Sequence, residues 1–371
     1  MQVGIPKEVR EHEKRVAATP ETVKKLVGQG HEVVVESGAG IAAALIDAAF
    51  AEAGAKLVDK ATAFGADLVL KVAPPTDDEV DLLKEGACLL GMLDPYRNQD
   101  LVKKLAARKV TSFALELLPR TTRAQDKDVL SSQANLAGYK AVVEAMAAYS
   151  RVMPMMMTAA GTVTPAKVFI IGAGVAGLQA IATARRMGAV VSATDVRPAA
   201  REEIASLGAK FVGFIPEDGA TKGGYARPLT KEEQAEQAKM VAEHIKSQDI
   251  VVTTALIPGR PAPRIVSADM VESMKPGSVI LDMAVESGGN VEGSKVGETV
   301  ETENGVRILG IPNLPAHLAP ATSTLYAKNL FNFAKLIIDD QQKLHVNKED
   351  DLVVGALLTE GGAVVHANFQ S

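Results

Sequence analysis

Short runs of β-branched and aliphatic residues recur along this chain, and between them lie stretches whose apolar residues return every three to four positions. That alternation predicts strands joined by helices, and so a parallel α/β architecture. In the first third, strands are expected at QVGI (2–5), EVVVE (32–36), DLVLKV (67–72), ACLLGM (87–92) and KVTSFAL (109–115). PETVKKLVGQG fits a helix opened by Pro20 and closed by Gly28 or Gly30. This series reads as a nucleotide-fold-like domain without a phosphate loop of its own.

A second series follows the helical stretch NLAGYKAVVEAMAAYS, with strands expected at KVFII (167–171), VVSATDV (190–196), KFVGF (210–214), DIVVTTA (249–255), SVILDMA (278–284) and VRILGI (306–311). Six strands with intervening helices are what a dinucleotide-binding sheet requires. The amphipathic stretch STLYAKNLFNFAKLIIDDQQ is expected to return as a helix onto the first domain. The expected fold is therefore α/β with two Rossmann-like domains and a cleft between them: residues 136–324 form a nucleotide domain inserted in a discontinuous first domain, 1–135 with 325–371. The methionine run PMMMTAAG (154–161) reads as hinge and core filling. No solenoid-period repeat or low-complexity tract interrupts the pattern.

Composition narrows the function classes. The chain has 371 residues, 47% hydrophobic and 23% charged, enough to bury two cores of ordinary size. A net charge of -5 without a Lys/Arg-rich run offers no general attraction to nucleic acid or anionic lipid. The single cysteine, Cys88, sits in an apolar run and reads as a buried thiol. The N-terminus has no secretory apolar region, and no apolar run approaches the ~18 residues of a membrane span. The expectation is a soluble cytoplasmic protein whose membrane association, if any, comes through partners.

The chemistry is most legible at KVFIIGAGVAGLQAIATARRMGA. Gly172, Gly174 and Gly177 fall in G-x-G-x-x-G spacing, directly after a strand and at the start of a helix. The first glycine permits the tight turn, the second lets backbone approach a pyrophosphate, and the third allows close packing of helix on strand. Ala173, Val175 and Ala176 complete the loop, whose N–H groups at the helix start would face the phosphates. Asp195 follows 18 residues after Gly177, where a carboxylate accepts hydrogen bonds from the adenosine ribose. It favours NAD(H) over NADP(H), whereas Arg197, beyond Val196, either serves a 2′-phosphate or packs over adenine. Residues 253–263, 284–290 and 312–320 should line the nicotinamide half, with backbone carbonyls at Ala255 and Leu256 available to the carboxamide. PEDGATKGGYARPLT (216–230), which contains Gly224 and Tyr225, has the composition of a mobile lid and equally of a plain surface loop.

One further stretch, RTTRAQDKDVLSSQ (120–133), is dense in polar residues between a strand and a helix. By spacing alone it is either a loop capped by Asp128 or a clamp on a polar ligand.

These motifs, with GIPKEVREHEKRVAATPETVKKLVGQGHEVVVESGAG, RAQDKDVLSSQANLAGY, MMMTAAGTVTPAK, GGYAR and TTALIPGRPAP, resemble the NAD(H)-binding domain I of proton-translocating nicotinamide nucleotide transhydrogenase over nearly the whole chain. The extent of the sequence resembles the separate first alpha subunit of some bacteria. The resemblance implies direct hydride transfer between NAD(H) on this chain and NADP(H) on a partner domain, coupled to proton translocation by a membrane-spanning subunit. It also implies a homodimer, held peripherally at the inner membrane. Arg120, Gln125, Asp128 and Ser131 match the loop that fixes the nicotinamide end, Gln125 bridging to the partner's nucleotide, and Tyr225 matches the aromatic of a mobile loop. RAQDKD departs from the family's common RAQSMD by introducing Asp126 and Lys127.

The opening and glycine motifs also resemble alanine dehydrogenase, which must move a proton as well as a hydride and grip a carboxylate. Its substrate-binding arginine and lysine are matched by Arg15 and Lys71, and Glu286 stands where it carries another carboxylate. Its loop histidine has no counterpart in LDPYRNQD (93–100), where Asp94 would have to act as base. Amino-acid dehydrogenase is therefore the second expectation, and a non-catalytic NAD(H)-sensing module the third.

Overall fold

The computed structural model describes residues 1–197, 199–214, 230–257 and 259–370. The chain divides into two compact units, Met1–Gln133 with Pro315–Ser371, and Ala134–Leu314.

The first unit opens with β1 (Gln2–Ile5), β2 (Glu32–Glu36), β3 (Lys56–Val58), β4 (Leu68–Leu70), β5 (Cys88–Gly91) and β6 (Thr111–Ala114). They lie parallel in the order β3-β2-β1-β4-β5-β6, the doubly wound arrangement whose direction of growth reverses between β1 and β4. The helix Pro20–Gly28 starts in a capping box in which Thr19 and Thr22 satisfy each other's backbone N–H groups. Val23 and Leu26 of this helix are buried, and they join Val3, Ile5, Val33 and Val35 in one apolar cluster. Cys88 is buried in the same cluster, and burial pushes its thiol pKa up.

The second unit carries a two-stranded hairpin, β7 (Met156–Thr158) with β8 (Gly161–Val163), before its main sheet. This corrects the expectation of core filling for the methionine run: Met155, Met156, Met157 and Val163 are exposed. Thr158 accepts the Ala160 N–H at 3.2 Å and donates to the Gly161 carbonyl at 3.1 Å, so the run turns back as a hairpin.

The main sheet comprises β9 (Lys167–Ile171), β10 (Val190–Thr194), β11 (Lys210–Phe211), β12 (Ile250–Thr253), β13 (Val279–Asp282), β14 (Thr299–Glu301) and β15 (Arg307–Leu309). Its order is β11-β10-β9-β12-β13-β15-β14, all parallel except β14, an antiparallel edge strand absent from the sequence expectation. The reversal falls between β9 and β12. Both faces are covered: Val168, Ile170 and Val252 pack in one cluster, Phe169, Ile171 and Val251 in another.

The chain then returns to the first unit through the helix Ala319–Ile337, and β16 (Leu357–Glu360) and β17 (Ala363–Val364) extend the first sheet antiparallel beyond β6. Ser112 and Thr359 lock β6 to β16 through their hydroxyls, 2.6 Å apart. Among the described residues, no helix is long and apolar enough to cross a membrane.

Candidate functional site

In the second unit, the glycine loop sits at the sheet's reversal point, where open parallel sheets take their ligands. Gly172 follows β9 with φ +99°, a conformation that side-chain-bearing residues rarely adopt. A Cβ at Gly177 would lie 1.8 Å from the Gly172 carbonyl oxygen, so the helix can approach the strand this closely only with glycine there. A Cβ at Gly174 would meet nothing within 4 Å, leaving open space over the turn.

The helix Val175–Arg186 starts at Gly174 without a side-chain cap. Its first-turn N–H groups, including those of Val175 and Ala176, therefore present a positive end suited to a pyrophosphate. Thr254, just after β12, donates to the Gly172 carbonyl at 3.0 Å and fixes the turn from the neighbouring strand. The residues present fit a dinucleotide.

Asp195 lies just past β10 and is built into the loop. Its Oδ2 accepts the Ala173 N–H at 2.7 Å and its Oδ1 the Arg197 N–H at 2.8 Å. Arg197 Nε and Nη2 face the carboxylate's two other lone pairs at 3.1 and 3.5 Å, so a ribose hydroxyl would take the place of the longer of these contacts. Val196 is exposed, and the Arg197 guanidinium folds back on Asp195 with Nε 3.1 Å from Oδ1. Gly224 and Tyr225 lie outside the described residues.

The loop after β12 is held by a residue that sequence reasoning missed. Fully buried Asn290 donates to the Ala255 carbonyl at 2.9 Å and accepts the Ala255 N–H at 3.1 Å. Fully buried Asp282 in turn accepts the N–H groups of Asn290 and Val291, each at 3.2 Å. Ala255 is thus fixed with one carbonyl lone pair remaining, whereas Leu256 is exposed. The only sequence signal was the polar cluster at the end of AVESGGN. Glu286 accepts the Asn313 N–H at 2.8 Å.

The first unit has the same strand order, but its reversal point is filled. Lys71 directly follows β4 and is fully buried, with Nζ 3.0 Å from Glu8, which follows β1, and 3.3 Å from Glu79. Lys60 approaches Glu79 from the partly exposed side at 3.4 Å. Burial raises the Glu8 carboxyl above its usual range, opposed by Lys71. Arg15 is equally committed: Glu13 accepts from its Nε at 2.8 Å and its Nη2 at 2.7 Å, and Gln133 from its Nη1 at 2.8 Å.

In the neighbouring loop, Asp94 adopts φ +43°, and Glu116 accepts the Leu93 N–H at 2.7 Å and the Asp94 N–H at 2.5 Å. Burial pushes the Glu116 carboxyl up to about 7, against these hydrogen bonds. Asp94 is also raised by burial.

Residues 120–131 surround a 3₁₀ turn, Thr122–Lys127, tied down by Asn329, which donates to the Asp126 carbonyl at 2.9 Å. Asp128 caps the next helix: its carboxylate accepts the Ser131 N–H at 2.9 Å and the Ser131 hydroxyl at 2.6 Å. Arg120 and Gln125 are exposed. Asp126 and Lys127 pair with each other at 2.5 Å, so each offsets the other's charge.

Family comparisons agree with this geometry. The N-terminal domain of the alanine dehydrogenase/PNT family matches residues 4–137, and its C-terminal domain matches 141–367. The first part of the NAD(P) transhydrogenase alpha subunit from Rhodospirillum rubrum is 50% identical over 377 aligned positions, covering 99% of this chain and 98% of that protein. The chain belongs to the NAD(P) transhydrogenase alpha-subunit family. A crystal structure of transhydrogenase from Sinorhizobium meliloti superposes with a TM-score of 0.90 at 53% identity, over 98% of this chain and 100% of that one. Alanine dehydrogenase from Staphylococcus epidermidis is a more distant relative, 33% identical over 99% of this chain and 95% of that protein. Within the transhydrogenase alpha-subunit family, the filled reversal point of the first sheet leaves the glycine loop of the second as the pyrophosphate candidate.

Proposed function

We propose that the chain binds NAD(H) in its second unit and exchanges hydride directly with NADP(H) carried by a partner subunit, within a transhydrogenase whose membrane-spanning subunit couples the exchange to proton translocation. The carrying observation is that Arg15 and Lys71, the cations an amino-acid dehydrogenase needs for its substrate carboxylate, are buried in pairs with Glu13, Glu8 and Glu79. Hydride exchange between two nicotinamides needs neither a carboxylate grip nor a substrate proton; it needs two rings held in contact. The uncapped helix start and the braced Asp195 support NAD(H) as the nucleotide on this side.

In this reading Gln125 and Arg120, both exposed, serve the nicotinamide end and the junction with the partner's nucleotide. Asp128 and Ser131 add hydrogen-bonding capacity while capping the helix behind them. A homodimer belongs to the proposal, and the exposed methionines of the hairpin β7–β8 offer apolar surface for a second copy. Amino-acid oxidation is the second reading, favoured by one observation: Glu116, held near 7 beside the loop of Asp94, is an acid–base group available at neutral pH.

The test is isotopic. NADH carrying deuterium at the transferred position of C4 is mixed with an oxidised NADP analogue, this chain and an NADP-binding transhydrogenase domain. Direct exchange delivers the deuterium to the NADP analogue without loss to water. Label appearing in solvent, or no transfer at all, refutes the proposal.

A further inference from the structure

We propose that Glu203 sets selectivity against the 2′-phosphate of NADP(H) by keeping Arg197 turned toward the protein; the inference rests on the second unit's being an NAD(H) site. An arginine two residues past the ribose-binding carboxylate is well suited to a 2′-phosphate, because its planar donors match phosphate oxygens. Here two of its three nitrogens, Nε and Nη2, are engaged. Nε points to Asp195 Oδ1 at 3.1 Å, and Nη2 donates to the Ala173 carbonyl at 2.8 Å. Nη2 also lies 3.4 Å from Glu203 Oε2 and 3.5 Å from Asp195 Oδ2. One cation thus stands between two carboxylates, and the group carries a net negative charge where a 2′-phosphate would arrive.

The two carboxylates have different tasks. Asp195 is 10% exposed in its side chain and is used by the turn itself, through the Ala173 N–H. Glu203 is 39% exposed, stands on the helix Ala200–Ser206, and reaches the loop through Arg197. It therefore acts as a positioning residue, selective against phosphate both by holding the guanidinium and by its own charge. Removing that charge takes away a weak, solvent-screened pair and leaves Arg197 held by Asp195 and the Ala173 carbonyl alone, one anchor fewer against swinging outward. The neighbouring Glu202 is exposed on the same helix and provides a control for charge alone.

The test measures dissociation constants of NADH and NADPH for the full chain by nicotinamide fluorescence at fixed ionic strength. Glu203→Gln is expected to lower the NADPH-to-NADH ratio of dissociation constants by about three- to tenfold, the scale of one partly exposed ion pair together with relief of one like charge. Glu202→Gln is expected to leave the ratio unmoved, and Arg197→Ala added to Glu203→Gln to abolish the gain. An unmoved ratio in Glu203→Gln, an equal shift in Glu202→Gln, or a gain that survives loss of Arg197 each overturns the assignment. If wild type binds NADPH as well as NADH, selectivity is absent and the inference falls alone; if it binds neither, the reading of the site falls with it.

Discussion

Replacing Lys71 by Met tests whether the first sheet's reversal point is a packed ion cluster or a substrate grip. The ammonium is fully buried, 3.0 Å from Glu8 and 3.3 Å from Glu79. Methionine preserves most of the volume and removes the charge. Glu79 keeps Lys60, whereas Glu8 keeps, among the described residues, the Val72 N–H, which it accepts at 2.6 Å. Breaking a buried pair by deleting one partner costs about 3–5 kcal/mol, because the remaining charge stays desolvated. At about 2–4 °C per kcal/mol for a unit of this size, the transition carrying the first unit should fall by roughly 6–20 °C.

The pH dependence identifies the cause. Burial already raises the Glu8 carboxyl above 4.5, so its protonated form favours the folded state. That contribution is fully present below 4.5 and is lost as pH rises through the folded value. Without Lys71 the rise grows, so the deficit of Lys71→Met is widest near pH 8 and narrowest near pH 5, and Glu8→Gln in the same background restores part of it. Thermal and urea unfolding followed by circular dichroism at both pH values decide the matter. A loss below about 1 kcal/mol, or one independent of pH, would refute the ion-cluster account.

Three further outcomes follow from the geometry. Gly177→Ala forces its Cβ against the Gly172 carbonyl and should weaken NADH binding by about tenfold or more, read by fluorescence titration. Glu116→Gln should flatten the stability curve between pH 4.5 and 7, because the wild-type carboxyl, raised to about 7, contributes stability below 4.5 that is lost as pH rises through 7; urea titrations across that window check it. Gln125→Asn, shortening an exposed side chain, should slow hydride exchange by about tenfold while NADH binding weakens far less, and stopped-flow transfer beside equilibrium titration separates the two.

Most of the parallel strands were legible because they are continuous apolar runs. EVVVE and KVFII have the bounds expected of them, since no polar break blurs their ends. Two edge strands and β16 were not. Lys56–Val58 and Thr299–Glu301 are short and largely exposed, and β16 is a strand only because it pairs with β6, some 245 positions earlier in the chain, a partnership that local pattern does not encode. Methionines 155–157 misled for a related reason: an exposed apolar hairpin has the composition of a core.

In the candidate site, glycine spacing and Asp195 were legible because backbone geometry restricts which residues can stand there. Asn290, Thr254 and Glu203 were not, since each acts through a hydrogen bond or ion pair formed by folding. The polar stretch 120–133 shows why spacing left two readings: Asp128 does cap a helix, and Arg120 and Gln125 nevertheless remain exposed beside it.

The most direct measurement follows NADH absorbance with the purified chain in two mixtures, one with pyruvate and ammonium, the other with an oxidised NADP analogue and an NADP-binding transhydrogenase domain. The account predicts rapid NADH oxidation in the second mixture and none in the first. Oxidation in the first would make Arg15 and Lys71 substrate ligands despite their burial with glutamates, and would contradict it.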